Sequence, residues 1–446
     1  MVGLLTTHWG AVCQTFFIGK NNGVIEWETA KMTENTNNLN VPTIIVNQKR
    51  ERDAIDELLS RGVADVVGRE ELERKLRSGQ KLRVKLGIDP TGPRLHIGRS
   101  VSIHKMRQFQ ELGHQVVLII GEFTGQIGDA SDKTATRPML TRAQVEANMQ
   151  RYKQQISLIL DESLVEWRYN TEWFDAMSFQ QGIELMSNFT VAQMIERDNF
   201  SERFHSGKPI SLQEIVYPVL QGYDSVMVQA DVELGGTDQL FNLMAGRQLQ
   251  ERYGQPPQAV LMNVMINGVD GRKMSTSEGN GLYIDEEAKQ QYAQMMRTVD
   301  EQILLYFEVL TAVPTREIEV MKSELAAGTN PMQLKKRLAH QLVRMYHGQA
   351  AADEAQRDFE QVHQKGELPT EIPTWTPPNQ QLEWNISDLL VETGLASGKN
   401  EAKRVAGEGG VKIDGNRPAD PRGKITLTDG MILQRGNRHF VRVRFD

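Results

Sequence analysis

The sequence predicts an α/β protein built on an open parallel sheet, and three observations carry that expectation. Leu82, Val84, Leu86 and Ile88 alternate with polar residues or glycine, the period of two of a strand. Behind a loop over 89–94, Ile103, Met106, Phe109 and Leu112 recur at helical spacing. Val116–Ile120 is then a short apolar run suited to a fully buried strand. Strand, helix and strand in this order form a crossover unit, which builds parallel sheet. His96 falls at the helix entrance, beyond the carboxyl end of the first strand. Open parallel sheets bind ligands there, and the unpaired amides of a helix N-terminus attract phosphate.

The remaining elements follow along the chain. Thr141 with Gln144 three residues later reads as a capping box, opening a helix to about Leu160. The sheet is expected to resume near Ser225–Ala230 and Val260–Ile266. Residues 286–365 have helical composition, with Leu334, Leu338, Leu342 and Met345 on one stripe. Pro369, Pro373, Pro377 and Pro378 mark a semi-rigid linker over 366–385. From 386 to 446 the pattern gives two short helices, Ser387–Ala396 and Ser397–Arg404, and a hairpin over Gly409–Arg417. Ahead of the catalytic region assigned to 50–285, residues 1–49 read as a disordered extension. They hold no Arg but include Glu26, Glu28 and Glu34, which suits neither a transit nor a signal peptide. Met32 opens a polar, Asn-rich stretch and is the expected translation start.

Composition bounds the function without choosing it. With 446 residues, 39% of them hydrophobic and 24% charged, the chain is long enough for two or three packed domains. The net charge is −7, unevenly spread: residues 386–446 hold eleven basic against eight acidic side chains, net +3, so residues 1–385 carry −10. That makes the tail the expected polyanion contact. A lone cysteine, Cys13, excludes an intramolecular disulfide and a cysteine-based zinc site, and fits a reducing compartment. No apolar run approaches the roughly 20 residues of a bilayer span. A cytoplasmic protein without membrane contact is expected.

Three blocks carry the chemistry. They are His96-Ile97-Gly98-Arg99, Gly235-Gly236-Thr237-Asp238-Gln239, and Lys273-Met274-Ser275-Thr276-Ser277 after a glycine-bearing turn. Singly each has a plain reading: a helix cap, a tight turn, a polar loop. In this fixed order they read as a split ATP site, the first cradling phosphate at a helix start and the last able to close over it. Order and wording resemble the class I aminoacyl-tRNA synthetases, and more closely the bacterial-type tyrosyl-tRNA synthetases, from about Leu82 to the C-terminus. The stretch Tyr217 to Asp224, followed by Gly235 to Gln239, is the most specific part of the likeness.

The resemblance implies a Rossmann-like catalytic domain with a helical insertion at about 137–215 that joins two subunits. It also implies a helical anticodon-side domain over 286–365 and a small α+β RNA-binding domain at 386–446. The implied reaction is activation of tyrosine by ATP, entering as its Mg2+ complex, followed by transfer to tRNA(Tyr), with no tightly bound cofactor and no resident metal. Implied catalytic residues are His96, Arg99, Lys273, Ser275 and Thr276. Gly87, Asp89, His96, Gly98, Gly236, Asp238 and Lys273 would bind ATP. Gly87, Asp129, Tyr217, Gln221, Asp224 and Gln239 would bind tyrosine, with Asp224 meeting the hydroxyl and Asp129, Tyr217 and Gln221 the ammonium. Lys399, Lys403, Arg404, Lys412 and Arg417 would contact RNA phosphates.

The chain departs from the family pattern at three places. Arg99 stands where the first block usually ends in His, and Thr276 where the last usually has a second Lys. Lys85 replaces a tyrosine found in one subgroup's pocket. Arg99 could supply charge that Thr276 lacks. Those departures keep open a catalytically impaired RNA-binding paralogue, while a tryptophanyl enzyme is disfavoured by the tail and by the Gln221/Asp224 pairing.

Overall fold

The structure, a computed structural model, describes residues 4–9, 12–17, 52–129, 139–274, 280–361, 372–436 and 439–445. The chain divides into two compact units, 1–56 and 57–446. Within the extension expected to be disordered, Leu4–Trp9 (β1) and Val12–Phe17 (β2) pair as an antiparallel hairpin. Leu, Thr, Val and Phe dominate both segments, and such residues favour extended backbone. Met32 lies outside the described residues.

The larger unit is built on a six-stranded sheet. A helix over 52–60 (α1) leads to Val63–Val67 (β3), Arg69–Arg77 (α2) and Arg83–Ile88 (β4). Then come Ile97–Glu111 (α3), Gln115–Ile120 (β5), Thr124–Ile127 (α4) and Arg142–Ile156 (α5). The capping box of Thr141 and Gln144 is formed at the start of α5. Val165–Tyr169 (β6), Thr171–Phe174 (α6), Phe179–Met186 (α7), Val191–Ile195 (α8), Asp198–His205 (α9) and Leu212–Val228 (α10) follow. Val232–Gly236 (β7), Leu240–Arg252 (α11) and Ala259–Asn263 (β8) complete the layer.

Strand order is β3-β8-β7-β4-β5-β6, parallel except for the edge strand β3. From β4 the chain steps outward through β5 and β6, then returns to lay β7 on β4's other side and β8 beyond it. A crevice therefore opens between the carboxyl ends of β4 and β7, where the strand order reverses. The residues of β5 from Val116 to Ile120 have no exposed surface, as their apolar run predicts.

Two expectations need correction. Ser225–Ala230 is not a strand: Ser225–Val228 ends α10, and the sheet resumes at Val232. The apolar residues there pack α10 on its neighbours and do not pair as a strand. The stretch 137–215 is also not purely helical, because it contributes β6 to the sheet, paired along β5. Helices α10 and α11 cross with their backbones touching. A β-carbon on Gly222 would come 2.9 Å from the Ala245 carbonyl carbon and 3.0 Å from Gly246 N.

Ala288–Met295 (α12), Ile303–Leu310 (α13), Thr315–Ala326 (α14), Pro331–His347 (α15) and Gln349–Phe359 (α16) form a helical region, and Leu334, Leu338 and Leu342 of α15 are buried. It is tied to α3 by polar bonds. Lys105 Nζ donates to Leu58 O and Arg61 O, Arg61 Nη2 donates to Thr311 O, and His104 Nε2 meets Tyr346 Oη at 3.2 Å. Burial, and then the Arg61 charge, push the Lys105 ammonium down to about 7.

The tail contains Thr374–Trp375 (β9), Glu383–Asn385 (β10), Ile386–Glu392 (α17), Lys399–Gly407 (α18), Val411–Ile413 (β11), Lys424–Thr426 (β12), Ile432–Arg435 (β13) and His439–Val443 (β14). The hairpin expected at Gly409–Arg417 closes only through an Ile413–Asn416 bridge, since β11 pairs mainly with β13. The stretch read as linker, 366–385, is partly structured. Strand β9 pairs parallel with β14, β10 pairs with β12, and Trp375 packs edge-on against Trp384 at 5.5 Å between ring centroids.

Candidate functional site

One cavity of about 320 Å³ lies at the crevice between β4 and β7. It is lined by Gly87, Asp89, His96, Gly98, Arg99, Asp129, Tyr217, Gln221, Gly236, Asp238, Gln239 and Lys273, together with apolar side chains. Every residue assigned from the sequence to ATP is on this wall, as are all those assigned to tyrosine except Asp224. Ser275 and Thr276 lie outside the described residues.

One end of the cavity is built by α3. His96 is its N-cap residue in extended conformation, and of the amides that open the helix Ile97 N donates to Leu282 O and Arg99 N to His96 O. Burial, with the Arg99 charge adding to it, pushes His96 down to about 4, so the ring is neutral at pH 7. Its Nδ1 is buried with no hydrogen-bond partner among the described residues. A neutral imidazole offers one N–H donor without bringing a second full charge beside Arg99. Arg99 is exposed in the first turn and is steadied by Tyr152 Oη, 3.0 Å from its Nη1.

Lys273 reaches the same cavity from the far part of the chain. Its backbone forms a bridge with Asn267, and its carbonyl accepts from Asn280 Nδ2 at 3.0 Å. Past the undescribed 275–279, the chain pairs with the first block itself: Ile97 N donates to Leu282 O at 2.8 Å and Ile284 N to Leu95 O at 3.1 Å. Both ends of the Lys273 loop are thus anchored at the cavity mouth.

The inner end is carried by α10. Tyr217, Gln221 and Asp224 sit at i, i+4 and i+7, one stripe of a helix. Tyr217 Oη donates to Asp89 Oδ2 at 2.8 Å, and Thr124 Oγ1 donates to Asp89 Oδ1 at 2.8 Å. Burial pushes Asp89 up to about 6 against those two bonds, and burial together with the Asp89 charge holds the Tyr217 hydroxyl well above its ordinary range. Gly121 lies directly beneath this carboxyl, and a β-carbon there would overlap Asp89 Oδ1. Asp224 is behind the lining, 3% exposed, accepting from Trp173 Nε1 at 2.9 Å and from Asn170 Nδ2 at 3.5 Å. Burial pushes it up to about 7, an effect that the Lys85 charge opposes.

Lys85, the departure from the pocket tyrosine, is fully buried. Its Nζ donates to Glu233 Oε1 and Ser225 Oγ, each at 2.8 Å, and to Gln221 O at 2.9 Å. Removing one partner of such a buried pair strands the other charge, at a cost of about 3–5 kcal/mol. Sequence reasoning missed Glu233, Asn242, Thr124, Asn170 and Trp173. The one signal available for Glu233 was an acidic residue inside an otherwise apolar strand.

In the tail, Lys399, Lys403, Arg404 and Arg417 are exposed and Lys412 is half-buried. Lys399 and Lys403 share a face of α18, and the Arg417 guanidinium lies over Gly409, just past that helix. Two of these charges are shared, Lys399 with Asp388 at 2.8 Å and Arg404 with Glu408 at 3.0 Å. No helix among the described residues is long and apolar enough to cross a membrane.

The family model described as "tRNA synthetases class I (W and Y)" matches residues 76–364. The tyrosine–tRNA ligase of Moorella thermoacetica is 46% identical over 392 residues, covering 86% of this chain and 94% of the relative. That of Thermotoga maritima is 46% identical over 388 residues, covering 86% and 96%. A C-terminally truncated mitochondrial tyrosyl-tRNA synthetase from Aspergillus nidulans shares the fold with a TM-score of 0.60 at 20% identity, over 71% of this chain and 97% of that one. The Archaeoglobus fulgidus tyrosyl-tRNA synthetase, solved with L-tyrosine, gives a TM-score of 0.55 at 18% identity, over 68% and 99%.

Proposed function

The chain belongs to the bacterial-type tyrosyl-tRNA synthetases and acts as a tyrosine–tRNA ligase, and from that premise we propose how its residues divide the work. The observation that carries the division is that one cavity at the crevice is lined by the α3 entrance, by Lys273 and by the α10 residues Tyr217 and Gln221. The reaction joins the tyrosine carboxylate to the α-phosphate of ATP and releases pyrophosphate, with Mg2+ arriving bound to ATP. The acyl group then passes to the terminal ribose of tRNA(Tyr).

No protein nucleophile is required, so catalysis consists of positioning and of charge placed where it develops. The start of α3, through its Gly98 amide, and the neutral His96 donate to phosphate oxygens. Lys273 and Arg99 supply positive charge, and Ser275 and Thr276 follow Lys273 in the sequence. Gly87 and Gly98 leave backbone open to the nucleotide, while Gly236 and Asp238 meet its ribose side. Asp129, Tyr217, Gln221 and Gln239 hold the amino acid, and Asp224, next along the Tyr217–Gln221 stripe, takes the hydroxyl.

Tyrosine-dependent exchange of pyrophosphate into ATP tests the assignment. Asp224→Ala is expected to lower the tyrosine-to-phenylalanine ratio of kcat/KM by about 10–100-fold, the range of one lost buried hydrogen bond to a charged group. A folded variant that keeps the parent ratio removes Asp224 from the role.

The protein works as a homodimer in this reading. Half of the large apolar side chains left exposed among the described residues fall within 139–212, including Phe179 at 84%, Leu212 at 81% and Val191 at 64%. A second copy would cover such a concentration. Phe179→Asp combined with Leu212→Asp should convert a species of twice 50.5 kDa to monomer in sedimentation equilibrium. An unchanged mass would rule this surface out as the interface. The tail's basic residues Lys399, Lys403, Arg404, Lys412 and Arg417 contact tRNA phosphates, and the domain assigned to 286–365 serves the anticodon side.

A further inference from the structure

We propose that Asn242 is a positioning residue which fixes the orientation of both glutamine amides facing the amino acid, Gln221 and Gln239. The inference rests on the assignment of Gln221, Gln239 and Asp129 to the tyrosine site.

Asn242 lies on α11, three residues after Gln239, and is fully buried. Its Nδ2 stands 3.0 Å from Gln221 Oε1 and 3.0 Å from Gln239 Oε1, with Asp129 Oδ1 farther off at 3.5 Å. The two glutamines end the row on carboxylates. Gln221 Nε2 donates to Glu233 Oε1 at 3.2 Å, and Gln239 Nε2 donates to Asp129 Oδ2 at 2.7 Å. Both carboxylates are ion-paired, Glu233 with Lys85 at 2.8 Å and Asp129 with Arg197 at 3.3 Å.

An ionised carboxylate only accepts hydrogen bonds, so each end of the row demands the NH₂ group of its glutamine. Both glutamine oxygens are then turned inward, towards each other. Only a donor can stand between two oxygens, and the Asn242 amide nitrogen, with two hydrogens, is that donor. Reversing any one amide would set donor against donor or acceptor against acceptor.

The result is a fixed acceptor set at the cavity wall: Gln221 Oε1, Gln239 Oε1 and the Asp129 carboxylate. These acceptors, on the same wall as Tyr217, suit the N–H bonds of an α-ammonium group. Asn242 Oδ1, by contrast, is buried with no hydrogen-bond partner among the described residues, which costs stability. The position supplies a donor at the expense of the fold, as a site residue does and a packing residue does not.

The test uses the full chain with Asn242→Asp, which keeps the shape but replaces the donor by an acceptor, and Asn242→Ala, which removes it. Gln221→Ala is measured beside them. Pyrophosphate exchange gives KM for tyrosine and for ATP separately, and thermal melting reports the fold. Asn242→Asp is expected to raise the tyrosine KM by about tenfold or more, with the ATP KM within about twofold of the parent. If Asn242→Asp does not fold, Asn242→Ala must show the same selective rise. An unchanged tyrosine KM in the Asn242 variants, beside a raised one in Gln221→Ala, overturns the inference and leaves the site assignment standing. An unchanged tyrosine KM in Gln221→Ala as well overturns both. Parallel rises in the two KM values with a lowered melting temperature would make Asn242 a fold residue and also overturn the proposal.

Discussion

Lys273→Ala is expected to slow formation of tyrosyl-adenylate by about 10²–10³-fold while tyrosine affinity changes by less than about threefold. The asymmetry follows from where charge moves. In the ground state ATP carries its charge shielded by Mg2+. As the carboxylate bonds to the α-phosphate, negative charge builds on the departing pyrophosphate, and a cation meeting it only then lowers the barrier without tightening substrate binding. Lys273 is placed for that: it lines the cavity, its backbone is pinned by Asn267 and Asn280, and residues 282–284 farther along pair with Leu95–Ile97. His96→Ala should cost less, about 10–10²-fold, because the neutral ring contributes one uncharged donor. Single-turnover adenylation in a rapid-quench instrument measures both, and a parental rate in Lys273→Ala would remove it from the chemistry.

The parts of this site that were legible in the sequence are those whose local pattern suffices. Strand β4, helix α3 and strand β5 announce themselves by periodicity, and the Thr141 capping box by two residues three apart. What stayed hidden depends on partners far away in sequence. Asn242 has no periodic signature, and its meaning comes from Gln221, Gln239 and Asp129, which three separate elements bring to it. Lys85 reads as an odd cation in an apolar strand until Glu233 of the neighbouring strand β7 is found beside it. Strand β6 was hidden because its Glu166 and Arg168 face partial exposure at a sheet edge, so the segment lacks a continuous apolar run. Strand β9 is two residues long between prolines, too short for any alternation to register, and only its pairing with β14 defines it.

That last strand decides where the tail should be cut. Ending the chain after Pro378 would leave Thr374–Trp375 behind without β14 and expose Trp375, inviting aggregation unrelated to function. The tail's buried cluster runs from Trp384 to Val443 with Trp375 packed against it, so a cut after Glu371 removes one self-contained core. The truncated enzyme is expected to keep tyrosine-dependent pyrophosphate exchange within about threefold of the parent, since every cavity residue precedes residue 275. Charging of tRNA(Tyr) should fall by at least about 10²-fold at physiological salt, because every phosphate that the tail no longer neutralises keeps its condensed counterions. The same physics predicts a shallower dependence of log affinity on log salt, by roughly 0.7–0.9 for each such phosphate. A tail that merely supports the catalytic fold predicts a different set of results, with exchange and melting temperature falling together and the salt slope unchanged. Exchange, charging, melting and a salt titration on one truncated protein separate the two accounts, and normal charging by that protein would exclude an RNA-binding role for Lys399, Lys403, Arg404, Lys412 and Arg417.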